Sequence, residues 1–264
     1  MAHYGVPVKP SPSATLVLLR DRAAGGFDVL LMQRHLASKF AAGDFVFPGG
    51  KLTAEDNPPD AIRWCAGLDV ETAATTLGMD DARTALAYWI GAIRETFEEV
   101  GVLLATAADG APARVPAAAL AACRRACQAD NQAFWELVQS YDLRLATDRL
   151  VYFAHWITPE DLPMRFDVRF FAAPMPADQE AAGDDKEVID LRWLAPREAL
   201  EAQKRGEISL RHPTMRNLVL LSEAASTADA LKRLAAREVR TILPRAVTGA
   251  DGARRILLPG DPGY

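Results

Sequence analysis

The 264-residue sequence has only three cysteines, Cys65, Cys123 and Cys127, so they cannot all pair with one another within one chain, and a chain of this length does not need disulfide staples. It also lacks any apolar run near the roughly 18 residues that a membrane span requires. The early stretch Ala14 to Leu19 is too short, and follows too little positive charge, to read as a secretory signal. Basic charge is in deficit: 30 Lys and Arg stand against 35 Asp and Glu, for a formal charge of −5. A protein that grips duplex nucleic acid needs clustered cations against the phosphates, so this balance argues against that role. The last residues, Asp261-Pro262-Gly263-Tyr264, form neither a prenylation box nor a peroxisomal address, and the expectation is a cytoplasmic protein with no nucleic-acid and no membrane partner. Half of the residues are hydrophobic and a quarter are charged, which supplies a sizeable core.

Along the chain, an extended proline-bearing arm leads into two apolar runs, Ala14 to Arg20 and Phe27 to Arg34, which the intervening Ala-Ala-Gly-Gly marks as a hairpin. A third run, Phe45-Val46-Phe47, stops at Pro48-Gly49-Gly50, where the chain must turn. Residues 57–83 show no clear period and read as a partly helical surface insertion. From Thr84 to Val100 the apolar residues Leu86, Ile90, Ile93, Phe97 and Val100 recur at helical spacing, and Gly101 is placed to end the helix in the left-handed region. Residues 117–140 read as a second helical stretch, broken near Asp130-Asn131. Strand-like texture returns at Leu150 to Ile157, Asp167 to Ala173 and Val188 to Leu194, followed by helices over Pro196 to Lys204 and Met215 to Ala225. The tail from Ala246 to Pro259, with Gly-Ala-Asp-Gly inside it, reads as a closing hairpin. The simplest architecture is an α/β fold, a mixed sheet flanked by helices.

Cys123 and Cys127, four apart, share a helix face; a zinc site needs about four ligands, and only His155 offers itself, so small core residues are the better reading. The segment that stands out is Arg94-Glu95-Thr96-Phe97-Glu98-Glu99-Val100-Gly101. At about 100° per residue, Glu98 and Glu99 flank Glu95 at about 60° and 40°, so the three carboxylates share one arc opposite the apolar stripe. Like charges at these spacings disfavour a helix, and they sit near its C-terminus, where the macrodipole also disfavours anions. Arg94 can reach Glu98 one turn on, and a hard divalent cation such as Mg²⁺ resolves the remaining conflict, because carboxylate oxygens are its natural ligands.

Taken with Phe45-Val46-Phe47-Pro48-Gly49-Gly50 upstream, the segment resembles the box of the Nudix hydrolases. Gly50 matches the opening glycine and Asp56 the first acidic position, with Asp in place of Glu. Arg94, Glu95, Glu98, Glu99, Gly101 and Val102 match the second half. Two departures stand out: residues 57–93 fill what the box keeps as a short spacer, and Thr96 occupies a position that is usually aliphatic. Both are similar to the split-box subfamily related to the mammalian peroxisomal acyl-coenzyme A diphosphatase. Trp156-Ile157-Thr158-Pro159, Arg165-Phe166-Asp167, Phe170-Phe171, and Glu187 leading to Arg192-Trp193-Leu194 are alike too.

The resemblance implies a single Nudix domain over residues 1–264, an α/β/α sandwich around a mixed sheet. It would carry a helical insertion inside the box at about 57–83 and a C-terminal extension at about 226–264. It implies Mg²⁺ or Mn²⁺ held by Glu95, Glu98 and Glu99, with Arg94 orienting a glutamate and meeting Asp56. The substrate implied is a small-molecule diphosphate, coenzyme A or acyl-coenzyme A, split to 3′,5′-ADP and the 4′-phosphopantetheine. ADP-ribose, nucleotide sugars and dinucleotides stay open as substrates, and so does a non-catalytic binding module, although such modules lose the box acids kept here. The general base is drawn from Glu98, Glu99 or a fourth acid, Glu187, with Glu180 as the alternative. Arg34, Lys39 and Arg165 are candidate phosphate contacts, Arg165 otherwise pairing with Asp167. His35, His155 and His212 show no ligand spacing, and a homodimer is left open.

Overall fold

The computed structural model describes residues 8–38, 40–184, 187–248 and 254–264. The chain opens with β1 (Ser11–Asp21) and β2 (Phe27–Arg34), paired as an antiparallel hairpin, then β3 (Phe45–Val46) and β4 (Gly49–Lys51). Two short 3-10 turns, Ala54–Asp56 and Ala61–Trp64, precede α1 (Val70–Leu77) and α2 (Ala82–Val100). Next come β5 (Ala105–Ala107), α3 (Ala117–Cys127), α4 (Gln132–Ser140) and β6 (Leu143–Leu145), with β5 and β6 forming a small sheet of their own. The second half runs β7 (Val151–Ile157), β8 (Phe166–Pro174), β9 (Val188–Leu194), α5 (Pro196–Lys204), α6 (His212–Leu221) and α7 (Thr227–Ala235). It closes with β10 (Thr241–Ile242), β11 (Arg245–Thr248) and β12 (Arg254–Leu257).

The main sheet runs β10-β7-β8-β1-β2-β3, with β4 also on β1 and β9 also on β2. It is mixed: β1 with β8 and β7 with β10 are parallel, and the other pairs are antiparallel. Its two faces follow from the period of two along each strand. Ala14, Leu16 and Leu18 of β1 join the core under α1 to α4, whereas Val17 and Leu19 join the core under α5 to α7. The chain is therefore the three-layer α/β/α arrangement that the resemblance implied.

The structure corrects the sequence reading at several places. The insertion is not confined to the surface: Trp64, Ala73 and Leu77 are buried in the first core. Helix α2 is buried on nearly every side rather than along one stripe, because Tyr88, Trp89, Ala92 and Thr96 are covered as well. The sequence reading also omits helix α7, although its Ser226 cap and its buried Ala230 and Leu234 carry a helical period, and the short strands β5, β6 and β10. Through α7 and β10 the C-terminal residues pack on the second core and add a strand to the main sheet. The tail hairpin forms between β11 and β12, and its Gly-Ala-Asp-Gly turn lies outside the described residues.

Candidate active site

Asp81 caps the start of α2 through the Arg83 and Thr84 amides, and Gly101 ends it with φ of 72°. Between those ends the helix lies across β1, and the polar flank of its last turns meets β4 and the 3-10 turn at Ala54–Asp56. Arg94, 1% exposed, grips the fully buried Asp56 with two prongs: Nε to Oδ1 at 2.7 Å and Nη2 to Oδ2 at 2.9 Å. The same guanidinium donates to the Lys51 carbonyl and lies 3.0 Å from Glu95 Oε1 and 3.1 Å from Glu98 Oε1. A planar fork of this kind fixes a carboxylate in direction as well as distance. Asp, though shorter than the family's Glu, makes the contact because Thr53 N–H holds its Oδ2 at 2.8 Å and Gly91 leaves room beside it.

The two glycines of the turn face the carboxylates. Gly49 donates its N–H to Glu99 Oε2 at 2.7 Å. A Cβ on Gly50 would stand 2.5 Å from Glu95 Cδ, so only glycine lets this carboxylate lie against the strand. Burial pushes the Glu95 carboxyl up to about 7, against the pull of Arg94, with the charge of Glu98 adding to the rise. Burial likewise raises Glu98, and raises Glu99 well above the ordinary range, with the charge of Glu95 next in size. Burial is the first cause of the rise at all three acids, and their mutual charge adds to it.

These residues fit a hard divalent cation. The donors are carboxylate oxygens, their mutual repulsion is only partly met by Arg94, and glycine backbone rather than a side chain lies against Glu95 and Glu99. Among the described residues no group of three or more acid, His or Cys side chains is gathered so that it could hold a metal ion as it stands, so the cation would have to draw the glutamates together. Mg²⁺ suits an open set of this kind, because it keeps several waters and shares its sphere with substrate phosphates.

Of the other candidates, Arg34 is brought to the site: its Nη1 lies 3.6 Å from Glu99 Oε1, and its Nε is buried with no hydrogen-bond partner. Glu187 also arrives, through pairing of β9 with β2 and the His35 N–H bond to its carbonyl at 2.8 Å; its charge adds to the rise at both Glu98 and Glu99. Glu180 is exposed in the connection after β8. Lys39 lies outside the described residues.

Arg165 requires a correction. It is only 6% exposed, and its Nε and Nη1 bond the Thr158 and Val8 carbonyls at 3.0 and 2.7 Å. It straps the arm to the β7–β8 turn rather than reaching for a phosphate, and it does not pair with Asp167. Asp167 instead meets His155 Nε2 at 2.6 Å, beside Arg169. His35 accepts the Ala37 N–H within a turn, and His212 packs edge-on against Trp156, so neither joins the acids. Cys123 and Cys127 are buried on one face of α3 with sulfurs 3.8 Å apart.

One residue in contact with the acid-bearing turn is absent from the sequence reading. Arg124 of α3 bonds the carbonyls of Glu98 and Glu99. The uncompensated carbonyls at the end of α2 were the available signal, but nothing in the local sequence says which cation meets them.

A family model described as the NUDT19 Nudix domain matches residues 8–221. The chain is similar to the human acyl-coenzyme A diphosphatase NUDT19, at 31% identity over 93% of this chain and 74% of that protein. It is similar to the Gallus gallus protein of the same name at 29% identity, over 90% and 73%. Among solved structures, the crystal structure of a NUDIX hydrolase from Alicyclobacillus acidocaldarius matches with a TM-score of 0.73 and 25% identity, over 88% of this chain and 99% of that one.

Proposed function

The chain belongs to the NUDT19 Nudix-domain family and is a Nudix diphosphatase; from that premise we propose that it hydrolyses coenzyme A or acyl-coenzyme A to 3′,5′-ADP and (acyl-)4′-phosphopantetheine, with Mg²⁺ or Mn²⁺. The observation that carries the metal-dependent reading is the meeting of the Glu95 and Glu99 carboxylates with the Gly49-Gly50 backbone. The coenzyme A substrate is supported by the relatives named acyl-coenzyme A diphosphatase.

Glu95, Glu98 and Glu99 would hold the cation, which supplies charge neutralisation at the diphosphate and Lewis acidity. Asp56 fixes Arg94, and Arg94 in turn fixes Glu95 and Glu98, so the ligand side chains enter the reaction already oriented. Arg34, with a buried N–H free of any hydrogen-bond partner, is placed to donate to a phosphate oxygen as negative charge builds there. Glu187 accepts the proton of the water that attacks phosphorus; the new P–O bond forms as the bridging P–O bond breaks, and the leaving phosphate carries the electron pair away. Little covalent work falls to the protein beyond this, because phosphoryl transfer depends mainly on positioning and charge.

Incubation with coenzyme A and Mg²⁺ or Mn²⁺, with the products separated by chromatography, tests the proposal. Appearance of 3′,5′-ADP with 4′-phosphopantetheine is expected. Cleavage of ADP-ribose alongside intact coenzyme A would overturn the substrate assignment.

A further inference from the structure

An α-helix leaves the carbonyls of its last turn without partners inside the helix, and the negative end of its dipole collects there. In α2 that end carries Glu98 and Glu99, the least favourable place for two more negative charges. All the same, each of its final carbonyls is met. Gly101 N–H bonds the Phe97 carbonyl at 2.9 Å, and Ala182 N–H bonds that of Val100 at 2.9 Å. The remaining two, on Glu98 and Glu99, are taken by one side chain: Arg124 donates Nε to Glu98 O at 2.7 Å and Nη2 to Glu99 O at 2.6 Å.

Two features make this more than an ordinary helix cap. Arg124 sits on α3, which Cys123 and Cys127 anchor in the first core on either side of it, so the guanidinium projects from a fixed platform. Gly101 makes way for it, since a Cβ there would stand 3.1 Å from Arg124 Nη1.

We infer that Arg124 is a positioning residue for the metal-dependent reaction: by bridging the Glu98 and Glu99 carbonyls it fixes the backbone from which both proposed ligands project. The inference rests on the reading of those glutamates as metal ligands. It assigns to the segment after the box, α3, a part in metal affinity rather than in substrate contact.

The test compares the parent with R124Q, R124K and R124A, using Mn²⁺ titration followed by electron paramagnetic resonance together with steady-state kinetics on coenzyme A. R124Q is expected to raise the Mn²⁺ concentration for half-saturation roughly 10- to 100-fold, the usual effect of losing a residue that orients ligands. At saturating Mn²⁺ its KM for coenzyme A should stay within about twofold of the parent, because no substrate contact is removed. R124K, whose single ammonium cannot span two carbonyls as a fork does, should fall between the two. Added guanidinium ion should restore Mn²⁺ binding to R124A. R124K keeps the charge and remains readable if R124Q fails to fold. Unchanged Mn²⁺ affinity in folded R124Q or R124K, or a rise in the coenzyme A KM alone, would overturn the inference. A parent that binds no Mn²⁺ would overturn the ligand reading first and this inference with it.

Discussion

Gly50 and Glu95 lie so close that the smallest side chain on the glycine would collide with the carboxylate: an ideal Cβ falls 2.5 Å from both Cδ and Oε2. One residue from a strand and one from a helix thereby define the floor of the proposed metal site. The backbone of Gly50 is not in the left-handed region, so what forbids a side chain there is the neighbour and not the strand conformation.

Gly50→Ala therefore separates function from folding. The glutamate is the far end of a flexible side chain and can swing away, so the variant should melt within a few degrees of the parent. Its apparent metal affinity should fall by roughly 10-fold or more, because a ligand has been displaced. Calorimetric titration with Mn²⁺ alongside a thermal melt reads both quantities. Parent-like Mn²⁺ binding would remove Glu95 from the ligand set.

Asp56→Asn acts on the opposite quantity. It leaves the Arg94 charge buried at 1% exposure without its two-pronged counterion, and breaking a buried pair from one side costs about 3–5 kcal/mol. Urea denaturation should show a loss of that order, with turnover falling as Glu95 and Glu98 lose the anchored guanidinium. A loss below about 1 kcal/mol would mean that the pair is not a structural keystone.

Metal binding should couple to pH in a definite direction. The folded, metal-free protein raises the Glu95 carboxyl to about 7 and lifts Glu98 and Glu99 also, whereas an unfolded chain returns a glutamate to about 4.3. The folded state then binds more protons, so its stability from these groups is fully present below the unfolded value and falls as pH rises toward 7. A divalent cation takes the place of those protons. The rise in melting temperature on adding Mg²⁺ should consequently be small at pH 5 and larger at pH 8, and EDTA should reverse it. An increment independent of pH would contradict the arrangement.

Glu98→Gln and Glu99→Gln should each lower kcat by orders of magnitude, with little loss of stability, since the amide keeps the shape and removes a charge that burial already opposed. Equal turnover at saturating Mg²⁺ would strike the residue from the ligands. Glu187→Gln should lower kcat and change the shape of the pH–rate profile; a profile identical to the parent's would rule it out as the base.

Much of this was legible before any coordinates. The spacing of Leu86, Ile90, Ile93, Phe97 and Val100 marks α2, and the break at Asp130-Asn131 falls between α3 and α4. Strands β2 and β9 run as their apolar patterns indicate. Strands β5, β6 and β10 are too short to carry a period, whereas α7 has one, in Ala230, Leu231 and Leu234 behind the Ser226 cap, and was legible in the sequence.

The sequence by itself determined the local terms: which segments coil or extend, that Glu95, Glu98 and Glu99 share one arc of a helix, and that Arg94 reaches Glu98 one turn away. Those follow from covalent geometry and side-chain chemistry within a few residues. The family resemblance already paired Arg94 with Asp56, but only the tertiary structure decided that Arg124 would close the end of α2 and that Arg165 would strap the arm to the β7–β8 turn. An arginine's fork donates to any carbonyl or carboxylate within reach, so its partner is chosen by how the layers stack, and no local pattern encodes that choice.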